Sequence, residues 1–304
     1  MSATDPGALT TEGRNPRTTA LDTMSALEIV RAMNAEDATV AIAVGQEAVS
    51  ISAAVAGIVA RFAQGGRLIY VGAGTSGRLG VLDASECPPT FNTPPGLVVG
   101  VIAGGRRALT ESVEAAEDDP DVGAADIVAL DIKAADAVVG IAASGRTPYV
   151  LGAVAEARRR GAFTVGVACN AGTALAAAVD VAIEVVVGPE VVSGSTRLKA
   201  GTAQKMVLNM LSTGAFVLSG KTYGNLMVDV RATNEKLRRR AVHIVREATG
   251  LNAHDATAVL AGAGGEIKTA IVVALAGVSP EEARARIARH GGRVRAALAL
   301  ERDA

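Results

Sequence analysis

Three short segments of the chain combine glycine with hydroxyl side chains where a predicted strand is followed by a predicted helix. They are Gly72–Gly77 (GAGTSG), Ala143–Thr147 (ASGRT) and Gly188–Lys199, which contains Ser195 and Thr196. Backbone N–H groups at a helix N-terminus bind anions, and hydroxyl groups add uncharged donors. The three segments therefore predict a site for a phosphorylated small molecule.

The first segment also matches the GxGxxG pattern of dinucleotide-binding proteins. That kind of site needs an acidic residue at the end of the second strand, where it binds the ribose hydroxyls. Here the second predicted strand ends in residues 101–105, VIAGG, which contain no Asp or Glu. A nicotinamide cofactor is therefore disfavoured, and Thr75 and Ser76 are predicted to bind phosphate. Taken alone, the segment is also compatible with a tight turn that binds nothing.

The other two segments strengthen the phosphate interpretation. Loops at the carboxyl ends of neighbouring parallel strands meet at one crevice, so Ser144 and Thr147 are expected close to the first segment. The third segment adds hydroxyls and, directly after them, Arg197 and Lys199. For these two cations, binding of an anionic substrate and ordinary solvated surface charge remain equally open.

Five short apolar runs predict the strands that position these loops. The runs are nearly continuous rather than alternating, as expected for strands buried on both faces, and most are separated by helical segments such as Thr147–Arg160. This alternation predicts an α/β fold with a doubly wound parallel sheet between two layers of helices. The runs are Leu68–Val71, Leu97–Ile102, Ala137–Ala142, Thr164–Ala168 and Val181–Val187.

The regions on either side of the sheet are predicted to be helical. Residues 1–24 are polar, and Ser25–Glu28 is a capping-box pattern that starts a first helix. Asn34 is predicted to start a second helix that runs to about Phe62. After a long helix over Thr196–Ser219, one helix is expected over Tyr223–Thr249.

Residues 252–304 suggest three or four further helices, one of them capped by Ser279 before Pro280. The predicted organisation is an arm with helices over residues 1–48, a sheet domain over 49–219 and a helical region over 220–304.

Composition excludes several classes of protein. The net charge of −1 and an aromatic content of 2% give no support for binding nucleic acid or an anionic membrane. Cys87 and Cys169 are not part of a CxxC pattern, and three dispersed histidines predict no metal site. The N-terminus lacks the apolar run of a secretory signal, and no apolar stretch reaches the length of a membrane helix. A cytoplasmic location is expected.

Longer motifs carry a resemblance to a known family. The hydroxyl-rich loops resemble the sugar isomerase domain, over about Val49–Ser219. More specific motifs span most of the chain and resemble the N-acetylmuramic acid 6-phosphate etherases, which remove D-lactate from the sugar. These motifs are Thr11–Pro16 (TEGRNP), Tyr70–Leu79 (YVGAGTSGRL), Asp83–Phe91 (DASECPPTF), Ile102–Gly105 (IAGG), Gly194–Thr202 (GSTRLKAGT) and Tyr223–Asp229 (YGNLMVD).

The resemblance implies an enzyme without a metal or organic cofactor that forms homodimers and acts on a small sugar phosphate. It implies that Glu86 and Glu117 are the two active-site carboxylates. Sequence alone does not select Glu117, because Glu111, Glu114 and Glu117 are spaced three apart, as on one solvated helix face. Arg78, Arg197 and Lys199 are the candidates for the lactyl carboxylate.

Two other functions share the phosphate site. An aldose–ketose phosphosugar isomerase usually carries a polar residue just before the serine of the second loop, where this chain has Ala142 and Ala143. A sugar-phosphate sensor resembling the glucokinase regulatory proteins does not need paired carboxylates. No DNA-binding helix pattern precedes the sheet domain, so a transcription factor is disfavoured.

Overall fold

The computed structural model describes residues 9–113, 116–230 and 235–299. The described chain divides into two compact units. The first contains the residues up to Ser85 together with Gly96–Ser212, and the second contains Glu86–Pro95 and the residues from Thr213 onward. Within the described ranges no single helix is long and apolar enough to cross a membrane, although two pairs of helices joined at a sharp bend meet that criterion by length and composition.

The first unit is built on a five-stranded sheet in the order β2-β1-β3-β4-β5, with every neighbouring pair parallel. All five predicted strands are present, with ends that differ by up to three residues. The predicted α/β fold with a doubly wound parallel sheet is confirmed. The strands are β1 (Leu68–Gly72), β2 (Val98–Ile102), β3 (Ala137–Ile141), β4 (Phe163–Ala168) and β5 (Val181–Glu184).

Helices cover both faces of this sheet, and their apolar residues explain why. Side chains of alternating strand residues such as Ile69 and Val71 pack against α5, α6 and α7, whereas Tyr70 points to the opposite face and meets Gly80 of α4. The helices that begin in this unit are α1 (Ala26–Asp37), α2 (Val40–Gln46), α3 (Ala48–Ala63), α4 (Gly74–Phe91), α5 (Pro120–Ala129), α6 (Pro148–Arg159), α7 (Ala174–Ala178) and α8 (Lys199–Leu218).

The prediction for the N-terminal helices is partly wrong. The capping box between Ser25 and Glu28 is formed and starts α1. Asn34, however, lies inside α1 rather than at the start of a second helix. Helix α1 ends at Asp37. The Thr39 hydroxyl donates to the Glu36 carbonyl at 2.7 Å, and this side-chain bond competes with the backbone hydrogen bonds that would continue the helix. Two helices, α2 and α3, then replace the single predicted one.

The second unit contains a hairpin and helices. The predicted helix over Tyr223–Thr249 is wrong at its start, because β6 (Thr222–Tyr223) and β7 (Leu226–Met227) form an antiparallel pair. Gly224 has a φ of +58°, and Gly-Asn between two short apolar segments is a hairpin signal. The helices that follow are α9 (Glu235–Thr249), α10 (Ala253–Gly262), α11 (Ile267–Ala276), α12 (Pro280–Arg289) and α13 (Val294–Leu298).

The predicted helical C-terminus is confirmed over the described residues, which contain four helices after residue 252. Ser279 caps α12 by accepting the Glu282 N–H, and Pro280 occupies the first helical position, as predicted. Helices α9 to α13 enclose a core of their own, formed by side chains such as Val245, Ile271 and Val272.

Candidate active site

The first loop joins β1 to α4 where the strand order reverses. In a doubly wound sheet of this order, the crevice beside the first and third strands is the usual ligand site. Helix α4 begins at Gly74, whose φ of +52° favours glycine. A Cβ on Gly72 would lie 2.7 Å from the nitrogen of Gly77, so the helix starts directly against the strand end. The first N–H groups of α4 lack acceptors within the helix, which suits an anion.

The two predicted hydroxyls of this loop lie in different environments. Thr75 is half-buried. Ser76 is buried, and its hydroxyl donates to Oε1 of Gln204 on α8 at 2.9 Å. Gln204 was not among the predicted site residues, because a glutamine inside a helical pattern gives no signal of its own.

The second loop joins β3 to α6, next to the first loop. Gly145 has a φ of +65°, and a Cβ there would lie 2.4 Å from Cβ of Thr173. The Ser144 hydroxyl accepts the N–H of Arg146 at 3.2 Å. Thr147 occupies the N-cap position of α6, and its side chain makes no capping hydrogen bond. Its hydroxyl is therefore not used to cap α6.

Glu117 lies in a turn before α5, close to the start of α6. Its carbonyl accepts the N–H of Tyr149, in the first turn of α6, at 3.0 Å, and its side chain is exposed. The helix face predicted for Glu111, Glu114 and Glu117 is wrong in the described part, because residues 111–113 and 116–117 are not helical. Glu114 lies outside the described residues.

Two glycines hold the segment after Glu117 against α6. A Cβ on Gly152 would lie 1.9 Å from the carbonyl oxygen of Pro120, and one on Gly123 would lie 2.0 Å from that of Tyr149. Only glycine permits α5 and α6 to approach this closely. The turn that carries Glu117 is thereby fixed beside the helix that the second loop precedes.

A cavity of about 360 Å³ opens beside the first loop and contains one predicted cation and one predicted carboxylate. Arg78 donates from Nε to the Leu109 carbonyl at 3.2 Å and from Nη2 to the Glu111 carbonyl at 2.9 Å. The guanidinium is thus oriented and keeps further N–H donors for a ligand. The cavity is lined by Ala73, Gly74, Arg78, Ala103, Ala108, Ser112, Val113, Ala116 and Glu117.

The third segment places its lysine in the interior. Lys199 is 2% exposed, and its ammonium donates to Glu36 at 2.7 Å, while Arg17 contacts the other oxygen of Glu36 at 2.6 Å. The backbone N–H groups of Lys199 and Ala200 donate to the two oxygens of Glu190, at 3.0 and 2.9 Å. Glu190 therefore occupies the N-terminus of α8. The side chains of Ser195 and Thr196 are half-buried and that of Arg197 is exposed.

The titration of the buried groups around this segment follows from their contacts. Burial raises the pKa of Glu190, although the N–H groups of Ala200 and Lys199 act in the opposite direction. Burial also opposes ionisation of Glu36, but hydrogen bonds led by Lys199 outweigh it and lower the pKa. Burial and the charge of Glu190 raise the pKa of the Cys169 thiol to about 12, so this thiol is not a nucleophile at neutral pH.

The N-terminal segment is bonded to the strand-end loops. Asn170, which follows β4, donates to the Ala143 carbonyl at 3.0 Å and accepts the Thr10 hydroxyl at 2.9 Å. Thr11 is fully buried. The Ser193 hydroxyl donates to the Gly13 carbonyl at 2.9 Å. The sequence predicted a polar arm here and gave no signal that Asn170 would join it to the second loop.

Glu86 belongs to the second unit, where its side chain is exposed on α4. Pro88 and Pro89 follow within the helix, and they cannot donate N–H groups to the turn that precedes them. A separate cavity of about 670 Å³ in this unit was not predicted from the sequence. Its two cations are already paired, Lys268 with Asp229 at 3.0 Å and Arg284 with Glu266 at 2.8 Å.

Comparison with known proteins identifies the domain and the family. Residues 50–158 match the N-terminal SIS domain of glucokinase regulatory protein, and residues 113–214 match the SIS domain. The fold is similar to that of a phosphoheptose isomerase from Francisella tularensis, with a TM-score of 0.50 at 17% identity over 64% of this chain and all of that one.

Two relatives match almost the whole chain. The N-acetylmuramic acid 6-phosphate etherase of Streptomyces coelicolor is 58% identical, over 96% of this chain and 94% of that protein. The protein of the same name from Rubrobacter xylanophilus is 59% identical over 96% of both chains. At this identity and coverage, the chain belongs to the N-acetylmuramic acid 6-phosphate etherase family.

Proposed function

We propose that this enzyme cleaves the lactyl ether of N-acetylmuramic acid 6-phosphate with water, giving N-acetylglucosamine 6-phosphate and D-lactate. One observation carries the proposal from the structure. Arg78 and Glu117 line one cavity beside the strand-to-helix loop at the switch point of the sheet. An anion-binding loop, a cation and a carboxylate are the groups that this substrate needs around it, and the family relationship supports the same reaction.

The phosphate is proposed to bind the first two loops. The N-terminus of α4 directs backbone N–H groups to the carboxyl edge of the sheet, where the dipoles of α4 and α6 favour negative charge. The hydroxyls of Thr75, Ser76, Ser144 and Thr147 supply neutral donors beside them. Ser195 and Thr196 are proposed to complete this site from the third segment.

Arg78 is the best-supported partner for the lactyl carboxylate. It lines the cavity, and two carbonyls orient its guanidinium, so that the remaining N–H groups can bind a carboxylate in the usual fork geometry. Lys199, another of the three predicted cations, already has a buried carboxylate partner in Glu36. We therefore assign Lys199 to holding the third segment in place.

The chemistry follows from the poor leaving ability of an alkyl ether. In the ring-opened sugar, carbon 3 is β to the aldehyde. A base removes the proton from carbon 2, the bond between carbon 3 and the ether oxygen breaks, and lactate leaves with a proton from an acid. Water then adds to carbon 3 of the unsaturated aldehyde, and the proton returns to carbon 2. Two carboxylates in different protonation states can perform both steps.

We propose Glu117 as the base at carbon 2 and Glu86 as the proton donor to lactate. The bond from the Tyr149 N–H to the Glu117 carbonyl fixes the base on the chain beside the second loop. The exposed side chain of Glu86 allows the donor to regain its proton from solvent.

The decisive experiment incubates the enzyme with N-acetylmuramic acid 6-phosphate and measures D-lactate release. In D₂O, elimination and readdition should place deuterium on carbon 2 of the product, whereas direct displacement at carbon 3 would leave that hydrogen in place. Absence of D-lactate, with ketose phosphate formed from an aldose phosphate instead, would replace the proposal by an isomerase.

We also propose that the enzyme is a cytoplasmic homodimer. The family resemblance supports the dimer, and light scattering should give twice the chain mass. Cys87 and Cys169 are both buried thiols, which agrees with a reducing compartment. Cell fractionation with a compartment marker would test the location.

A further inference from the structure

A buried glutamine on α8 contacts the first loop. Gln204 is 1% exposed, and its Oε1 accepts the Ser76 hydroxyl at 2.9 Å. Its Nε2 atom has no hydrogen-bond partner within the described residues. Gly201, three residues earlier on the same helix face, lies against the same loop, since a Cβ there would be 3.5 Å from the Thr75 methyl carbon. The amide of Gln204 is therefore held against the loop that we propose binds phosphate.

The two orientations of this amide have different consequences for Ser76. With Oε1 against Ser76, the serine uses its only proton on Gln204 and has none left for a ligand. After a half-turn of the amide, Nε2 donates to the serine oxygen, and the serine proton can point to a phosphate oxygen. An unpaired buried N–H group is rarer in proteins than a carbonyl oxygen with an unused lone pair. Phosphate binding therefore favours the second orientation.

We propose that Gln204 is a positioning residue for the substrate phosphate: its amide N–H donates to the Ser76 oxygen and thereby directs the Ser76 proton to the phosphate. The inference rests on the phosphate site proposed above. It extends that site to a side chain that does not itself touch the substrate. Gln204 acts on binding and not on bond cleavage, so its loss should raise KM and leave kcat nearly unchanged.

A double-mutant cycle tests this with inorganic phosphate as the ligand in calorimetry and with the etherase assay for KM and kcat. Loss of a hydrogen bond to a charged group weakens binding by about ten- to a hundredfold, so Ser76→Ala should raise the phosphate Kd by at least tenfold. Gln204→Met should weaken phosphate binding by about tenfold, and the double variant no more than Ser76→Ala alone, because the two residues act as one unit. Asn209→Met, an exposed amide on the same helix, is the matched control and should bind phosphate like the wild type.

Gln204→Glu provides a second variant of nearly the same shape. A carboxylate accepts the Ser76 proton but cannot donate, so phosphate binding should be weaker than in Gln204→Met. The proposal is overturned if a folded Gln204→Met or Gln204→Glu variant binds phosphate like the wild type, or if Gln204→Met lowers kcat with KM unchanged. It is also overturned if the losses in the double variant multiply.

The two proposals fail in different ways. If Ser76→Ala binds phosphate normally, the assignment of the phosphate to the first loop is wrong, and the role of Gln204 is wrong with it. If the wild type releases no D-lactate but the phosphate cycle shows the expected coupling, only the etherase reaction is wrong.

Discussion

The loop Gly72–Gly77 and the segment Gly188–Lys199 resemble each other in sequence but differ in structure. Both follow a parallel strand, contain glycine and hydroxyl residues, and precede a long helix. At the first loop, helix α4 begins directly at the strand end, so its first N–H groups lie beside a cavity. At the segment before α8, two N–H groups are occupied by the buried carboxylate of Glu190, and the adjacent lysine is paired with Glu36.

The difference shows that a hydroxyl-rich strand-to-helix connection predicts a helix start but not what occupies it. Position 190 carries a carboxylate long enough to reach the helix, whereas the first loop is too short to place one there. Where the chain supplies its own anion, the helix N-terminus is structural. Where it does not, an external anion can bind. Substitutions at the two sites should therefore have different effects. Those at the first loop should change catalysis and ligand binding, and those at the segment before α8 should change stability.

The largest expected effect is on the chemical step. Glu117→Gln removes the proposed base beside the first and second loops, and acid–base help of this kind is worth about 10²–10⁴-fold in rate. D-lactate release should fall by that factor, while the phosphate Kd stays within about threefold of the wild-type value. The free energy of unfolding should change by no more than about 0.5 kcal/mol, because the side chain is exposed.

Asp121→Asn is the matched control for this variant. Asp121 is an exposed carboxylate in the first turn of α5, four residues further along the chain. It should keep wild-type turnover. Comparable losses in the two variants would show that charge near α5, rather than a base at residue 117, supports the reaction.

The second prediction concerns the segment Gly188–Lys199, where Glu190 occupies the N-terminus of α8. Lys199→Met leaves the buried Glu36 with Arg17 as its remaining basic partner. Breaking a buried ion pair costs about 3–5 kcal/mol, and we expect about 3 kcal/mol here because Arg17 stays in contact. Urea unfolding should show this loss, with little change in KM at a temperature where the variant is folded. A large rise in KM without loss of stability would instead return Lys199 to the substrate site.

Two glycines with similar backbone conformations test whether stability and phosphate binding depend on the conformation of the second loop. Gly145 and Gly172 have nearly the same φ, +65° and +64°, but a Cβ at Gly145 would lie 2.4 Å from Cβ of Thr173 and one at Gly172 would meet nothing within 4 Å. Replacement by alanine in this backbone region costs about 1–2 kcal/mol, which should be the whole effect for Gly172→Ala.

Gly145→Ala should cost more, by about 1–3 kcal/mol of overpacking, and should also raise the phosphate Kd because Ser144 and Thr147 are displaced. Unfolding curves and calorimetry on both variants give the comparison. Equal stability losses and unchanged phosphate binding in both would show that the second loop does not hold the ligand.

Much of the fold was accessible from sequence because the signals are local. Continuous apolar runs located all five strands, and Ser25–Glu28 and Ser279–Pro280 marked helix starts by residue type alone. The errors arose where local signals compete. Thr39 ends α1 through a side-chain bond to the backbone, and the Gly-Asn hairpin signal at Gly224 lies inside an otherwise helical pattern.

The site was less accessible because its contacts join distant parts of the chain. The loops themselves were predictable from glycine and hydroxyl patterns. The partner of Lys199 lies 163 residues away, and that of Ser76 lies 128 residues away. No spacing rule connects such pairs. Glu117 required the family resemblance, because its spacing from Glu111 is typical of an ordinary solvated helix face.

The smallest predicted effect uses pH to separate the two carboxylates around Lys199. Burial raises the native pKa of Glu190 above its ordinary value of 4.5, so the native state binds this proton more tightly than the unfolded state does. Its contribution to stability is therefore full below pH 4.5 and is lost as pH rises through the native pKa. Glu36 behaves oppositely: its pKa is lowered despite burial, so its contribution is full above pH 4.5 and is lost as pH falls through the lowered value.

Urea unfolding between pH 3 and 8 should show that Glu190→Gln removes a decline in stability above pH 4.5, of at most about 1.4 kcal/mol per pH unit, and keeps the decline on the acid side. An unchanged slope above pH 4.5 would mean that Glu190 is ionised in the native state without cost. The N–H groups at the start of α8 would then stabilise the carboxylate as fully as water does, and this helix start would resemble the open one before α4 in its capacity for an anion.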